Sequence, residues 1–279
     1  MIPNMDAELF RRLHSLESAA GTSLSVAELR RELSLTFPQG ARALATGDPD
    51  WPDALDALAD PPKVLCALGD LALLERQTRI SIAGSRDASP ERCDEARLLA
   101  ADLAARGATV ISGLAAGIDR AAHEGALSAW TRESRPGRTV AVMGTPLSMP
   151  WPPENARLHG EIAGRGLILS EVPQAEGRRF DPEERARALR RRNRIIAALG
   201  SGSVIMAARP GSSTLVEARF SLSLGHPVLL WHECAAEPWA QALVAENLRD
   251  GDGRPLVSFV RDAAGVEEAL SPWSTVWWL

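Results

Sequence analysis

The sequence contains no tyrosine, and lysine occurs once, at Lys63, so 30 of its 31 basic residues are arginine. Protein folding does not forbid lysine, and the ordinary explanation of this bias is a GC-rich coding sequence. The bias has a local consequence all the same. Almost any cationic side chain of this protein that contacts a phosphate group must do so through a forked guanidinium.

Cysteine and long apolar runs are also scarce. Cys66, Cys93 and Cys234 are widely spaced and form no C-x-x-C pair, which argues against a disulfide framework or a zinc ribbon and is typical of buried thiols in a reducing compartment. No apolar run approaches the roughly 18–20 residues of a membrane helix, and the first residues do not resemble a signal peptide. We therefore expect a cytoplasmic protein that does not associate with membranes.

Several motifs for nucleotide binding and catalysis are absent. The sequence has no G-x-G-x-x-G fingerprint and no Walker A motif, which disfavours classical NAD and ATP sites. It has no G-x-S-x-G or H-E-x-x-H motif, and its five histidines are scattered. We therefore predict no metal site and identify no catalytic residue.

What is present is a globular composition with an uneven distribution of charge. The 279 residues are 45% hydrophobic and 24% charged, with a net charge of -5. Residues 79–231 contain 21 basic and 16 acidic side chains, whereas the segments before and after them are both acidic. A basic central block keeps nucleic acid among the partners to consider, although the total charge alone argues against it.

Short apolar segments alternate with amphipathic segments, which is typical of βα units around a parallel sheet. The sequence predicts an α/β fold with strands at 79–83, 109–112, 139–143, 167–170, 204–207, 228–231 and 256–259, and an edge strand at 64–68. It predicts helices at 5–18, 25–33, 91–106, 119–130, 153–164 and 181–200. The predicted organisation is a small helical N-terminal region (1–50), a main domain (51–260) and a C-terminal tail (261–279) that docks on the core or on a second subunit.

Three predicted strand-to-helix turns are rich in glycine and hydroxyl side chains. They are Gly84-Ser85-Arg86, the segment from Ser112 to Gly117, and the segment from Arg209 to Thr214. A helix N-terminus offers free N–H groups to an anion, and open α/β sheets bind ligands at the carboxyl ends of their strands. The alternative is that such turns favour glycine and serine for conformational reasons alone.

The predicted helix near residue 190 is strongly basic. Residues 178–194 contain eight arginines and three acidic residues, and ion pairs such as Glu183 with Arg187 account for only part of them. Asn193 lies on the side leading to the apolar Ile196. We interpret Asn193 as a buried amide that holds a loop or a ligand, and the arginines beside it as phosphate contacts.

Three titratable residues near these turns have ordinary structural explanations, which we favour. Asp119 can cap the following helix, and His123 can be satisfied by Asp119 or by a carbonyl group. Glu217 can complement the dipole of its helix in the first turn. The alternative for Glu217 is a carboxylate that faces the cleft.

Taken in order, these segments resemble the DNA-processing protein A family, also called Smf, over about residues 50–231. The resemblance rests on Trp51-Pro-Asp-Ala-Leu55, Asp60-Pro-Pro-Lys-Val-Leu65, Ile82-Ala-Gly-Ser-Arg86, Ile111-Ser-Gly-Leu-Ala-Ala-Gly-Ile-Asp119, Ala122-His-Glu-Gly-Ala-Leu127, Trp151-Pro-Pro-Glu-Asn155, Arg191-Arg-Asn-Arg-Ile-Ile-Ala197 and residues 211–219. It implies an extended Rossmann-like domain, with helices on both faces of a mostly parallel sheet, that binds single-stranded DNA without a cofactor. It also implies a homodimer that helps to load the RecA recombinase in natural transformation.

Carried over residue by residue, the resemblance implies a site for DNA phosphates that contains no catalytic residue. Its members are Gly84, Ser85, Arg86, Ser112, Gly113, Ala115, Gly117, Arg191, Arg192, Asn193, Arg194, Gly211, Ser212, Ser213 and Thr214.

The chain departs from the family pattern in three places. A charged stretch from Gln174 to Arg190 replaces a short segment ending in His-Phe-Pro, which removes an aromatic candidate for base stacking. Residues 212–218 read Ser-Ser-Thr-Leu-Val-Glu-Ala in place of Ser-Gly-Ser-Leu-Ile-Thr-Ala. We also expect no C-terminal winged helix of the kind found in many members, and therefore a divergent member.

Two other functions stay open. The Pro-Gly-x-x-Thr-x-x-Glu pattern at residues 210–217 is similar to a loop, one residue longer, of the lysine-decarboxylase-like nucleotide phosphoribohydrolases. In that case Arg86 or Arg194 holds a nucleoside phosphate and Glu217 assists cleavage of the N-glycosidic bond. The other function is a nucleotide-sensing module without catalysis.

Overall fold

The structure, a computed structural model, describes residues 25–37, 40–75, 78–129, 139–173 and 181–273. The predicted helix at 5–18, the arginines at 178 and 179 and the end of the C-terminal tail, with Trp277 and Trp278, lie outside these ranges. Within them, no helix is both long enough and apolar enough to cross a membrane.

A nine-stranded sheet forms the centre of the described chain. Its strands are β1 (Ala41–Leu44), β2 (Leu65–Gly69), β3 (Arg79–Ala83), β4 (Thr109–Ser112), β5 (Thr139–Met143), β6 (Leu167–Ser170), β7 (Gly202–Ile205), β8 (Val228–Trp231) and β9 (Val257–Val260). Their order is β1-β2-β6-β5-β4-β3-β7-β8-β9. β2 is antiparallel to both of its neighbours, and all other neighbouring strands are parallel. The predicted α/β fold with a mostly parallel sheet is confirmed.

Nine α-helices surround this sheet in the described ranges. They are α1 (Val26–Thr36), α2 (Pro90–Ala105), α3 (Ile118–Ser128), α4 (Ala156–Arg165), α5 (Pro182–Arg191), α6 (Asn193–Leu199), α7 (Ser213–Ser223), α8 (Pro238–Ala245) and α9 (Ala263–Leu270).

Helices cover both faces of the sheet, as the continuous apolar character of the strands predicts. In β5, Val140 and Val142 pack in a cluster that includes residues of α6, whereas Ala141 and Met143 pack in a second cluster with residues of α4. Successive side chains of a strand point to opposite faces. α4 and α6 therefore lie on opposite sides of the sheet.

The structure differs from the sequence-based expectations in several elements. The helices α8 and α9 were not predicted, and α9 lies in the segment expected to be a tail. β2, which was expected to be an edge strand, lies between β1 and β6. β1 lies within the N-terminal region that was expected to be helical, because a four-residue strand with only two buried side chains leaves a weak pattern. The helix predicted at 181–200 is divided at Arg192 into α5 and α6. The carbonyl of Arg192 accepts hydrogen bonds from the amides of Ile195 and Ile196, so a new helix starts at this point. The limits of the three predicted domains stay a prediction.

β3 lies where the chain reverses its direction across the sheet. From β3 the chain passes through β4, β5 and β6 on one side, and it returns through α5 and α6 to β7 on the other side. The strand ends at such a switch point leave a crevice that binds ligands in open α/β sheets. The fold therefore places a candidate site between the carboxyl ends of β3 and β7.

Candidate functional site

A cleft of about 680 Å³ opens at this crevice. Its walls are the turns after β3 and β4, the loop that leads into α7, and one face of α5. Ten of the predicted site residues line it: Gly84, Ser85, Arg86, Ala115, Arg192, Asn193, Gly211, Ser212, Ser213 and Thr214. The three turns that the sequence singled out separately thus meet around one cavity.

The turns after β3 and β4 are in direct contact. The amide of Ile118 donates to the carbonyl of Ser85 at 3.4 Å. Gly117 has a φ of +72°, and a Cβ there would lie 2.4 Å from the Ser85 carbonyl oxygen. Only glycine fits this position. Gly117 therefore does not line the cleft but lets the two turns approach each other.

Asn155 fixes the turn after β4 and was not among the predicted site residues. Its side chain is buried, and its Nδ2 donates to the carbonyls of Leu114 at 3.0 Å and Ala115 at 3.2 Å. Leu114 has a positive φ of 56°, an unusual conformation that these bonds help to hold. The signal available in the sequence was the Trp-Pro-Pro-Glu-Asn segment, which alone assigns no role to the asparagine.

Arg192 and Asn193 form the floor of the cleft. The Arg192 guanidinium lies against Gly113, where a Cβ would be only 1.9 Å from one of its nitrogens. Arg192 donates through Nε to Asn193 Oδ1 and through a terminal nitrogen to the carbonyl of Val142. Asn193 Nδ2 donates to the carbonyl of Ser213 at 2.8 Å. Asn193 is thus a buried amide that holds the loop leading into α7, as its position in the sequence suggested.

Arg191 and Arg194 do not reach the cleft. Arg194 is fully buried, and two of its nitrogens donate to the carboxylate of Glu171 at 2.7 and 2.8 Å. Arg191 donates to Asp60 Oδ2 at 2.8 Å. Both guanidinium groups already have protein partners, so the structure places them as supports of α6 rather than beside the predicted phosphates. Ser112 is likewise buried, and its hydroxyl donates to the carbonyl of Ile82.

One face of α5 supplies arginines that were not among the predicted site residues. Pro182, Arg185, Ala186, Leu189 and Arg190 line the cleft. Their spacing of three and four residues is that of a single helical face. This periodicity was readable in the sequence, but it becomes informative only once the helix is known to end at Arg191.

The cleft has an excess of positive charge. Five arginines and three acidic residues line it. Arg209 pairs with Asp87 at 2.5 Å, whereas Arg86, Arg185 and Arg190 form no ion pair with any carboxylate of the described residues. Unpaired guanidinium groups at a cavity are available to an anionic ligand.

The start of α7 adds a second kind of anion contact. Ser212 occupies the N-cap position without capping the helix through its side chain. Its Oγ is buried and has no hydrogen-bond partner among the described residues. Buried polar atoms are normally paired, and the first amides of a helix have no intrahelical partner. An anion in the cleft would accept hydrogen bonds from both the Ser212 hydroxyl and the first amides of α7.

Glu217 faces the floor of the cleft, contrary to the dipole role that we favoured. No acidic residue lies in the first turn of α7, and Glu217 is almost completely buried in the wall of the cavity. Burial, followed by the nearby Asp119, raises the pKa of Glu217 to about 8, although Arg192 opposes the shift. The Ser81 hydroxyl lies 3.2 Å from its Oε1. Glu217 is therefore largely protonated at neutral pH.

Asp119 and His123 are also buried. Asp119 Oδ2 accepts from the amide of Ala115 at 3.4 Å and lies 3.8 Å from Arg192, and burial raises its pKa. His123 Nδ1 contacts the hydroxyl of Thr139 at 2.7 Å rather than the Asp119 side chain. Burial lowers the pKa of His123 to about 3, so its ring is neutral and structural.

Comparison with known protein families identifies the family of this chain. The profile of the family described as DNA recombination-mediator protein A matches residues 42–246, which include every wall of the cleft. The chain belongs to this family. The family resemblance read from the sequence is thereby confirmed.

Relatives in the family share moderate sequence identity with the chain. Protein Smf of Synechocystis is 39% identical over 181 residues, which cover 64% of this chain and 42% of that protein. DNA processing protein DprA of Bacillus subtilis is 27% identical over 238 residues, which cover 81% of this chain and 75% of that protein. The chain thus spans between about two fifths and three quarters of these relatives.

Two solved structures of the family have the same fold. DNA processing protein A of Helicobacter pylori, described for its single-stranded DNA binding mode, superposes with a TM-score of 0.68 at 26% identity, over 84% of this chain and 97% of that one. DprA of Streptococcus pneumoniae superposes with a TM-score of 0.69 at 24% identity, over 92% of this chain and 86% of that one. The extended Rossmann-like class of the fold is confirmed.

Proposed function

We propose that this protein binds the phosphates of single-stranded DNA in the cleft between β3 and β7 and acts in DNA processing during natural transformation and recombination. One observation carries the proposal. Arg86, Arg185 and Arg190, which lack ion-pair partners among the described residues, converge with the start of α7 on one cavity. Contacts of this kind give affinity without sequence choice, and the proposed role is binding without catalysis.

The comparisons support this choice of ligand. The Helicobacter pylori relative is described as binding single-stranded DNA and covers most of this chain. The family to which the chain belongs is described as a mediator of DNA recombination. A single strand also suits the cleft physically, because its flexible backbone can bring phosphates to several cationic side chains of one groove.

A salt titration of DNA binding tests the proposal. Fluorescence anisotropy with a labelled single-stranded oligonucleotide should show a log affinity that falls linearly with log salt. Arg86→Ala and Arg190→Ala should each weaken binding for all sequences and reduce the slope by about 1. Absence of binding at low salt contradicts the proposal.

Arg187 offers a matched control on the same helix. It lies outside the cleft and pairs with Glu183 at 3.5 Å. Arg187→Ala removes the same charge as Arg190→Ala, yet we expect it to leave the slope close to that of the unchanged protein. An equal loss in both variants would assign DNA binding to the overall charge of α5 rather than to the cleft.

The proposal includes two protein partners, a second copy of the chain and the RecA recombinase. The family description as a recombination mediator supports the second of these. Light scattering after size-exclusion chromatography should give twice the mass of 29.9 kDa. The protein should also shorten the lag before RecA hydrolyses ATP on single-stranded DNA. A monomeric mass contradicts the homodimer, and an unchanged lag contradicts the partnership with RecA.

The buried, protonated Glu217 favours a second candidate, N-glycosidic cleavage of a nucleoside monophosphate. A carboxylic acid with a pKa of about 8 carries a proton at neutral pH and can donate it to the leaving base while a water molecule adds to the ribose carbon, which yields free base and ribose 5-phosphate. Incubation with nucleoside monophosphates should then release free base, and Glu217→Gln should abolish the release. A mononucleotide that is retained without being cleaved would instead identify a sensor.

A further inference from the structure

Trp151 is an exposed aromatic ring at the edge of the cleft. It lines the cavity and is 37% exposed, whereas Trp51, Trp231 and Trp239 are all buried. Indole is the largest apolar side chain, and an exposed one gains little from the hydrophobic effect. Trp151 therefore offers a flat apolar surface to whatever occupies the cleft.

The Arg185 guanidinium lies over this ring, 3.7 Å from its centroid. Arg185 is half-buried and forms no ion pair with a carboxylate of the described chain. A planar cation stacked on an indole at an exposed site is held only weakly. Stacking of a base on an aromatic ring is the stronger interaction, so a base can compete with the guanidinium for the same face.

Arg185 and Trp151 also stand at a suitable distance from the phosphate contacts. Arg185 and Arg190 are five residues apart on α5, which is about 7.5 Å along the helix, and both line the cleft. A strand whose phosphates lie along this face can therefore place a base over Trp151.

We infer that Trp151, with Arg185 above it, is the base-stacking platform of the cleft and takes one unpaired base of the bound strand. The inference rests on the proposed function and adds to it a selectivity for strands with unpaired bases. When the base stacks on the indole, Arg185 leaves the ring and pairs with an adjoining phosphate. A base held in a duplex has no free face for the indole, so the platform selects single strands.

Oligonucleotides with and without bases test the inference. The unchanged protein should bind an all-thymine oligonucleotide about tenfold more tightly than an abasic one of equal length. Trp151→Phe should keep most of this ratio, whereas Trp151→Leu should bring it close to one. Arg185→Ala should lower the salt slope by about 1 and retain a preference for bases.

Trp273 supplies the control, because it also lies under a guanidinium, with Arg254 5.8 Å from its ring centroid, but does not line the cleft. Trp273→Leu should leave the ratio unchanged. A full preference for bases in Trp151→Leu overturns the inference. Equal binding of both oligonucleotides by the unchanged protein overturns it while leaving the proposed function intact, and no binding of either overturns both.

Discussion

Arg194 and Glu171 form a buried, two-pronged ion pair, with nitrogen–oxygen distances of 2.7 and 2.8 Å. Arg194 also donates to the carbonyls of Asp60 and Arg191. Every contact of this guanidinium is therefore with the protein. The residue joins the start of α6 to the segment after β6 and to the loop before β2.

This pair predicts that Arg194→Ala acts on stability rather than on DNA contacts. The substitution leaves the Glu171 carboxylate buried without its main partner, which costs about 3–5 kcal/mol in comparable pairs. Urea denaturation should show the loss. The double variant Arg194→Met, Glu171→Leu removes both charges and should recover part of the stability. Normal stability combined with lost DNA binding in Arg194→Ala would contradict this assignment.

The close backbone contact at Gly117 predicts that an alanine there disturbs the cleft, and Gly225 provides a control substitution. Gly117 and Gly225 have similar positive φ values of +72° and +78°, but only a Cβ on Gly117 meets backbone, 2.4 Å from the Ser85 carbonyl. Gly225→Ala should cost about 1–2 kcal/mol of stability, from conformational strain alone, and leave DNA affinity unchanged. Gly117→Ala should cost more and weaken DNA binding, because it pushes the Ser85 turn away. Denaturation and anisotropy measure the two effects, and equal behaviour of the variants would contradict the explanation.

Much of the fold was predictable because its information is local. Strands such as Thr139–Met143 are buried on both faces, so their apolar runs and flanking turns mark them in the sequence. The same holds for helix starts such as Asp181-Pro182, where the cap and the first helical residue are adjacent. β1 escaped prediction because half of its side chains are not buried.

The site was less predictable because its decisive contacts are distant in sequence. Arg192 and Arg194 are both arginines of the same basic run, yet one lines the cleft and the other pairs with Glu171, 23 residues away. Nothing local distinguishes them. The protonation of Glu217 likewise depends on burial and on Asp119, which belongs to another part of the sheet edge.

Asn155 predicts that a residue without any DNA contact controls the site. Its amide donates to the carbonyls of Leu114 and Ala115. Asn155→Ala should leave these buried acceptors unpaired, at a cost of about 1–3 kcal/mol, and Asn155→Asp should be worse because it sets a carboxylate against two carbonyls. Hydrogen exchange should increase in the turn after β4, and DNA affinity should fall. Unchanged exchange in this turn would show that Asn155 does not hold it.

Glu217 predicts that DNA binding weakens as the pH rises through about 8. Below that pH the buried carboxyl is protonated, and above it the cleft gains a negative charge beside Asp119 and Arg192. Even in water, two charges 4 Å apart interact by about 1 kcal/mol, so affinity should fall about fivefold between pH 7 and pH 9. Folded-state stability should fall over a lower range, from pH 4.5 to 8, because over that range the unfolded state releases the proton that the native state keeps. Glu217→Gln cannot ionise, and it should flatten both profiles.

The Cys66 and Cys234 thiols do not titrate between pH 4.5 and 9, because burial raises their pKa values to about 12 and about 11. A pH dependence of affinity that persists in Glu217→Gln would place its origin outside the cleft floor.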